Sequence, residues 1–336
     1  MPAGLGGGGS VYIALEPIMG TLVPPTAAGG VWCPIISEDL EYREDKYYSP
    51  QIRQQTIVSD VQSSYYHVEG SIVIEADPNF APYFMYASRH LISKVGSAGS
   101  FTYRVTPGSQ GSAASAGTGT VARTLSITIV RNNVAFGYAG CVVNTWEETI
   151  ENGVLRWNLG ILGISEADAG NGTPTWVDPV LFGADAHSIF VDSAGTAPPF
   201  AGAFTTNFNG WTFRSDFNGS AQNRIQPLRS ASYIAYGETI ASYETELDFI
   251  DKTDYTNMKN NTTRSIKKES IKPGGSTWAT CDTGLRTTVY RTSFDNYVVN
   301  LAGMGDLIMA RVTGRAVGIA GGAAYAIECK SHVDIT

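Results

Sequence analysis

A chain of 336 residues is too long for one small core, and its 23 basic against 31 acidic side chains (23 − 31 gives −8) exclude a protein that grips nucleic acid through its phosphates. A surface that nucleic acid must slide past stays open, because like charge lowers affinity. Only 16% of residues are charged, while 37 Gly, 17 Tyr and 13 Phe with many Val, Ile and Thr favour a globular, mostly β fold.

In chain order, residues 1–30 begin with the glycine run GLGGGGS. Val11, Ile13 and Leu15 then alternate with Tyr12, Ala14 and Glu16 before Pro17 and Pro24-Pro25. This reads as an arm that gains a partner elsewhere. Residues 31–165 form a first domain. Leu40 and Tyr42 face one way and Asp39, Glu41 and Arg43 the other, as in a strand with one wet face. Lys46 to Tyr66 is a long excursion of the functional kind. The stretch EGSIVIEADPNFAPYFMYASRHL follows. Ile72, Ile74 and Ala76 alternate with Ser71, Val73 and Glu75, Asp77-Pro78-Asn79 stops the strand, and Phe80, Tyr83, Phe84 and Leu91 recur at helical spacing. Phe101 to Thr106 is a strand, and residues 107–120 are a Gly/Ser/Ala tract that cannot build a core. Leu125 to Val130 pairs with Asn133 to Tyr138, and Val142 to Ile150 with Val154 to Ile164 across Asn152-Gly153, the strongest hairpin signal in the chain.

Residues 166–206, poor in charge, read as an ordered linker. Residues 207–336 retrace the first domain: a strand at Trp211 to Phe217, an excursion at Gly219 to Gly237, a strand at Tyr243 to Phe249 with Glu244, Glu246 and Asp248 on its wet face, and a helix from Asp254 to Ile266. The two copies align with Tyr255 opposite Phe80, Thr288 opposite Thr128 and Gly303 opposite Gly140, and a hairpin about Thr313-Gly314 closes the second.

No catalytic pattern emerges. His67, His90, His187 and His332 are scattered without metal-ligand spacing, GLGGGGS lacks the GK[ST] of a phosphate loop, and no GxSxG elbow is present. Glu244, Glu246 and Asp248 alternate along one strand and read as a solvated face, not as paired catalytic carboxylates. Cys33, Cys141, Cys281 and Cys329 lie far apart without CxxC spacing and read as buried reduced thiols. The N-terminus lacks a signal peptide's basic and apolar regions, and no run is long enough to span a bilayer, so the reading is of a soluble, non-secreted protein with no enzymatic role, metal or cofactor.

The order of arm, charged strand, excursion, strand, short helix, strands and closing hairpin, present twice, resembles the major tail tube proteins of long-tailed, non-contractile phages, in their duplicated-domain form. VYIALEPIMGT, SEDLEYRED, EGSIVIEADP and GYAGCVVNTWEETIENGVLRWNLGILG carry that resemblance, which runs from about Val11 to the end of the chain. It implies a mainly β fold with short α-helices: two tandem β-sandwich domains whose sheets close into a continuous β-barrel tube on assembly. It further implies a structural virion protein, assembled in the host cytoplasm, whose rings stack into a conduit for genome delivery. Single-domain members form rings of six, and duplicated members form rings of three with pseudo-sixfold symmetry. Its partners are then other copies of itself, the tape-measure protein and the genomic DNA that pass through the lumen, and the tail terminator and distal tail proteins, with no membrane. The alternative is a tail-fibre or baseplate β-sandwich that binds a host receptor or carbohydrate.

Two sets of functional residues follow from alternation. The wet faces are expected to line the lumen, through Asp39, Glu41, Arg43, Glu69 and Glu75 in the first domain and Arg214, Asp216, Glu244, Glu246 and Asp248 in the second. Tyr47, Tyr48, Pro50, Ile52, Ile57 and Val58 offer more apolar surface than a free loop usually exposes, and are expected to join ring to ring, together with the second excursion and the arm.

Overall fold

The computed structural model describes residues 9–27, 29–48, 61–88, 91–97, 99–107, 124–193, 208–223, 229–249, 252–272, 277–300, 308–318 and 323–335. The first half of the chain contains β1 (Ser10–Leu15), β2 (Gly30–Cys33), β3 (Ser37–Glu38), β4 (Glu41–Tyr48), β5 (Val61–Glu75), α1 (Ala81–Ala87), β6 (Leu91–Ser97), β7 (Ser100–Thr106), β8 (Leu125–Arg131), β9 (Val134–Glu151) and β10 (Val154–Gly163). After them come β11 (Ser165–Asp168), β12 (His187–Ser193), β13 (Phe208–Asp216), β14 (Gly219–Gln222), β15 (Tyr233–Tyr236), β16 (Ile240–Asp248), α2 (Thr253–Lys259), β17 (Arg264–Ile271), β18 (Gly284–Asn300), β19 (Met309–Ala316) and β20 (Tyr325–Ser331). The fold is mainly β, with two seven-residue α-helices among the described residues.

Eight strands make one continuous antiparallel sheet, in the order β4, β5, β10, β9, β13, β16, β19, β18. A second layer covers one face of it. Under the first half this layer is β2, β1, β8, the start of β9, and β11. Under the second half it is β12, β17, the start of β18, then β20, β7 and β6. The long strands β9 and β18 thus belong to both layers, and each crosses from one to the other at a β-bulge, the device that bends a strand and raises its twist. In β9 the pairing with β10 skips Asn144, and in β18 the pairing with β19 skips Asp295.

The alternation seen in the sequence drives this packing. Val68, Ile72 and Ile74 of β5, Trp157 and Leu159 of β10, Trp146 of β9, Trp211 and Phe213 of β13, and Tyr243 and Leu247 of β16 all turn to the same side and are buried. Helix α1 lies among β1, β7, β8, β9 and β20 with all seven residues buried. The Asp77-Pro78-Asn79 stop signal works as expected. The Asp77 carboxylate accepts from the Asn79 N–H at 2.8 Å and the Val180 N–H at 3.0 Å, and Pro82 occupies the first turn, where no amide donor is needed.

Several expectations are corrected. The stretch read as an arm is β1, a strand seated between β2 and β8 of its own chain. Part of the stretch read as a linker forms β11 and β12, which pair with β9 and β17. Lys46 to Tyr66 is not a loop throughout, because β4 continues to Tyr48 and β5 starts at Val61. The first helix ends at Ala87, and Leu91 opens β6. The second ends at Lys259, where Asn261 takes a left-handed φ of 52°, and Ile266 belongs to β17. No hairpin forms at Thr313-Gly314, since β19 runs straight through both residues. The sequence alignment of the two copies is displaced as well, since counting from the two bulges matches Thr288 to Gly137 and not to Thr128. Bulge for bulge, Gly140 matches Arg291 of β18, and Gly303 lies outside the described residues.

A candidate channel wall

The eight-stranded sheet has one face packed on the second layer and one face without it. Directly opposed residues of an antiparallel pair share a face, so the registers settle which charged side chains lie together. Glu41 stands opposite Glu69, and Arg156 opposite both Glu75 and Thr149. Arg214 stands opposite Glu147 and Ser242, Asp216 opposite Thr145, and Thr212 opposite Glu244. Glu246 and Asp248 face Arg311 and Met309. Asp39 accepts from both the amide and, at 2.9 Å, the hydroxyl of Ser71. The ten charged residues picked out by alternation, from Asp39 to Asp248, therefore share the uncovered face.

Sequence reading missed Glu147, Glu151, Arg156, Arg311 and Arg315, which the registers add to that face. Arg156 was legible, since RWNL alternates like its neighbours. Arg311 and Arg315 were hidden by the misplaced hairpin. With them the residues named so far come to ten carboxylates and five guanidinium groups, and several of the arginines pair locally: Arg43 with Glu41 at 2.5 Å, Arg156 with Glu151, Arg311 with Glu244, and Arg315 with Asp295 at 3.6 Å. The wall is acidic in balance and studded with paired arginines, a surface without a single dense patch for a polyanion to grip.

At the rim beyond Gly160 this face turns apolar. Val142, Leu162 and Ile164 are covered there by Ala231 and Ile234, carried by and beside the small β14–β15 hairpin. The second excursion is thus folded back onto the first half of its own chain. The Tyr66 N–H donates to the Arg229 carbonyl and the Tyr66 carbonyl accepts from the Ala231 N–H, while the Arg229 side chain reaches the Glu44 carboxylate and, at 3.1 Å, the Ser64 carbonyl. The Arg229 guanidinium helps hold the Glu44 carboxyl below its usual range, after a hydrogen bond from Ser63. Tyr47 and Tyr48 stand exposed at the same end of β4. Pro50, Ile52, Ile57 and Val58 lie outside the described residues.

The two halves meet where β9 pairs with β13, and a buried polar cluster closes that joint. Glu148 of β9, fully buried, accepts from Trp157 Nε1 at 3.2 Å, Trp211 Nε1 at 2.9 Å and Thr287 Oγ1 at 3.1 Å, and pairs with Lys268 Nζ at 2.9 Å. Those donors come from β10, β13, β18 and β17. His187 lies against the cluster, with Nδ1 2.9 Å from Ser270 Oγ and Nε2 3.2 Å from the Gly153 carbonyl. Burial, reinforced by the Lys268 ammonium, pushes its pKa down to about 4, so the imidazole is neutral at pH 7. Every group here has a structural partner, which makes the cluster a joint and not a reaction centre. The four cysteines are buried and unpaired with one another, and burial raises their thiol pKa values.

The outer strands β4 and β18 each keep one edge without a strand partner among the described residues, so the sheet is open at both ends. Open edges of this length are a hazard unless another chain covers them. Among the described residues no helix is long and apolar enough to cross a membrane. No curated protein matches the chain. A family profile described as phage tail tube protein matches residues 6–281, and this favours the tube over the receptor-binding fibre or baseplate reading. With most of its length matched, and with an open, two-faced sheet of the kind a tube wall requires, the chain belongs to the phage tail tube protein family, the structural virion subunits that assemble into the tail tube.

Proposed function

We propose that three copies of this chain close into a ring, that rings stack into the tube, and that the uncovered sheet face lines the bore through which the tape-measure protein and then the genome pass. The supporting observation is the continuous eight-stranded sheet with one covered face and two open edges. The second layer and α1 occupy one side of the sheet only, and a closing ring has more room outside than inside. The bare face with Asp39, Glu41, Arg43, Glu69, Glu75, Arg214, Asp216, Glu244, Glu246 and Asp248 therefore turns inward. Three chains supply 24 strands at about 4.8 Å spacing, a wall roughly 115 Å around and ~37 Å across at the backbone before strand tilt widens it. Six chains would double that bore.

In this reading the chain comprises two tube units, each one half of the eight-stranded sheet with the layer beneath it, and each stands for one subunit of a six-membered ring. The rim tyrosines Tyr47 and Tyr48, with the neighbouring 50–58 segment, meet the next ring. Tail terminator and distal tail proteins cap the ends. Imaging of assembled tubes tests both parts: threefold rings are expected, and Tyr47→Ser with Tyr48→Ser should leave rings that stack poorly. Sixfold rings of this chain, or tubes of normal length from the double variant, would refute the corresponding part.

A further inference from the structure

The joint between the two halves of one chain can be compared strand for strand with the chain's two open edges. The repeat can be aligned without reference to sequence, through the two bulges. Gly160 is the last β10 residue before the skip at Asn144 and stands opposite Thr145 and Ser71; Thr313 is the last β19 residue before the skip at Asp295 and stands opposite Asn296 and Glu244. Gly160 thus matches Thr313, Thr145 matches Asn296, and Ser71 matches Glu244. The same offsets bring the end of β5 onto the end of β16 and the end of β10 onto the end of β19, which the bulges did not dictate. Carried one strand further through the pairs Glu41 with Glu69 and Arg214 with Ser242, they match Glu41 to Arg214, and β4 to β13. The open strand β18 is therefore the counterpart of β9, and the open strand β4 the counterpart of β13, the two strands that join the halves.

We propose that β18 of one chain pairs antiparallel with β4 of the next, in the register copied from β9 and β13. Arg214 stands opposite Glu147, and their counterparts are Glu41 and Val298. The seam runs from Asp39 opposite Asn300 to Arg43 opposite Asn296, with Tyr42 facing Tyr297 on the covered side. This rests on the ring reading above and adds the identity and register of the contacting strands.

The side chains at the two edges suit a partner that arrives late. Glu148, the charged key of the internal joint, is matched at the seam by Val299. A carboxylate at that site would need its buried donors before assembly, whereas a valine waits in water at modest cost. Val298, Val299 and Tyr42 are 39%, 36% and 37% exposed in the single chain, apolar surface lying along the two edges that this pairing would bring together.

Paired cysteines test the register. Glu41→Cys with Val298→Cys puts the thiols in a directly opposed pair, whose Cβ atoms lie about 4.5–5.5 Å apart, whereas Glu41→Cys with Asn296→Cys is diagonal, at roughly 7–8 Å. The native thiols are buried and do not compete. On mild oxidation of assembled tubes the first pair should link chains into a covalent closed ring, released by reductant, at least tenfold faster than the second. A faster second pair, or no linkage in tubes that form normally, overturns the register and leaves the tube reading intact. A density map of unsubstituted tubes decides the matter even if the variants misfold. It should place Glu41 of one chain beside Val298 of its neighbour with Cα atoms about 4.5–5.5 Å apart. Any other strand at the β4 edge overturns the proposal, whatever the number of chains per ring.

Discussion

Glu148 shows how much one residue can decide at the joint of the two halves. Its four donors come from four strands, so it fixes their relative placement, but it does so with a charge that has no water to fall back on. Burial pushes the Lys268 pKa down, while the facing Glu148 carboxylate holds it up. Removing one member of such a pair strands the other, which costs about 3–5 kcal/mol. Lys268→Met should lose that much in chemical denaturation of the unassembled subunit. Adding Glu148→Gln, which removes the stranded charge and keeps one carbonyl oxygen as acceptor while leaving one of the two indoles facing the amide NH2, should recover part of that loss. Equal stability of the single variant and the parent would mean that the pair contributes nothing to the joint. None of this was readable from TWEET in the sequence, because a buried and an exposed carboxylate look alike until the partners of each are known.

At the scale of elements, legibility followed the strength of the local signal. The Asn152-Gly153 hairpin is where the dipeptide put it, with left-handed φ values of 51° and 75°, and the strand, stop and helix around Asp77 keep their order. Strands without a turn dipeptide or clear alternation were lost: β17 is buried on both faces between β12 and β18, so its charges hid it. The N-terminal strand was found but misplaced, since only the fold shows what Glu16 does. Its carboxylate, raised in pKa by burial, accepts from Gly20 N–H at 2.7 Å, Gly140 N–H at 2.8 Å, Thr124 Oγ1 at 2.5 Å and Ser126 Oγ at 2.9 Å. Gly140 must be glycine for this, with φ of 67° and Ile164 only 2.8 Å from where a Cβ would stand. Glu16→Ala leaves those donors without their acceptor. It should destabilise the subunit by about 3 kcal/mol and speed amide exchange along β1 and β8 before the rest of the sheet. Unchanged protection in β1 would mean that strand pairing alone holds it.

For the whole molecule the question is which way the bare face points once the ring closes, and assembly makes the answer measurable. With the bare face inward, as proposed above, phosphates sliding past its net acidic wall would be repelled at a range of about 8–10 Å in physiological salt, so a wide bore would stay passable and its lining would not hold the genome. The opposite orientation would put the same carboxylates on the outside as ordinary solubilising charge, and it would force the second layer and α1 into the bore. A thiol at position 246, introduced by Glu246→Cys, separates the two, because Glu246 is exposed on the bare face while all four native thiols are buried. Val95→Cys is the control, on the exposed β6 of the second layer. A maleimide carried on a polymer wider than the bore should label both positions in free subunits. In assembled tubes it should label position 95 as before and position 246 at least tenfold more slowly, while a small maleimide still reaches both. Equal labelling of the two positions in tubes by the large reagent would put the carboxylate face outside, and the lining of the bore would then have to come from the opposite side of the sandwich.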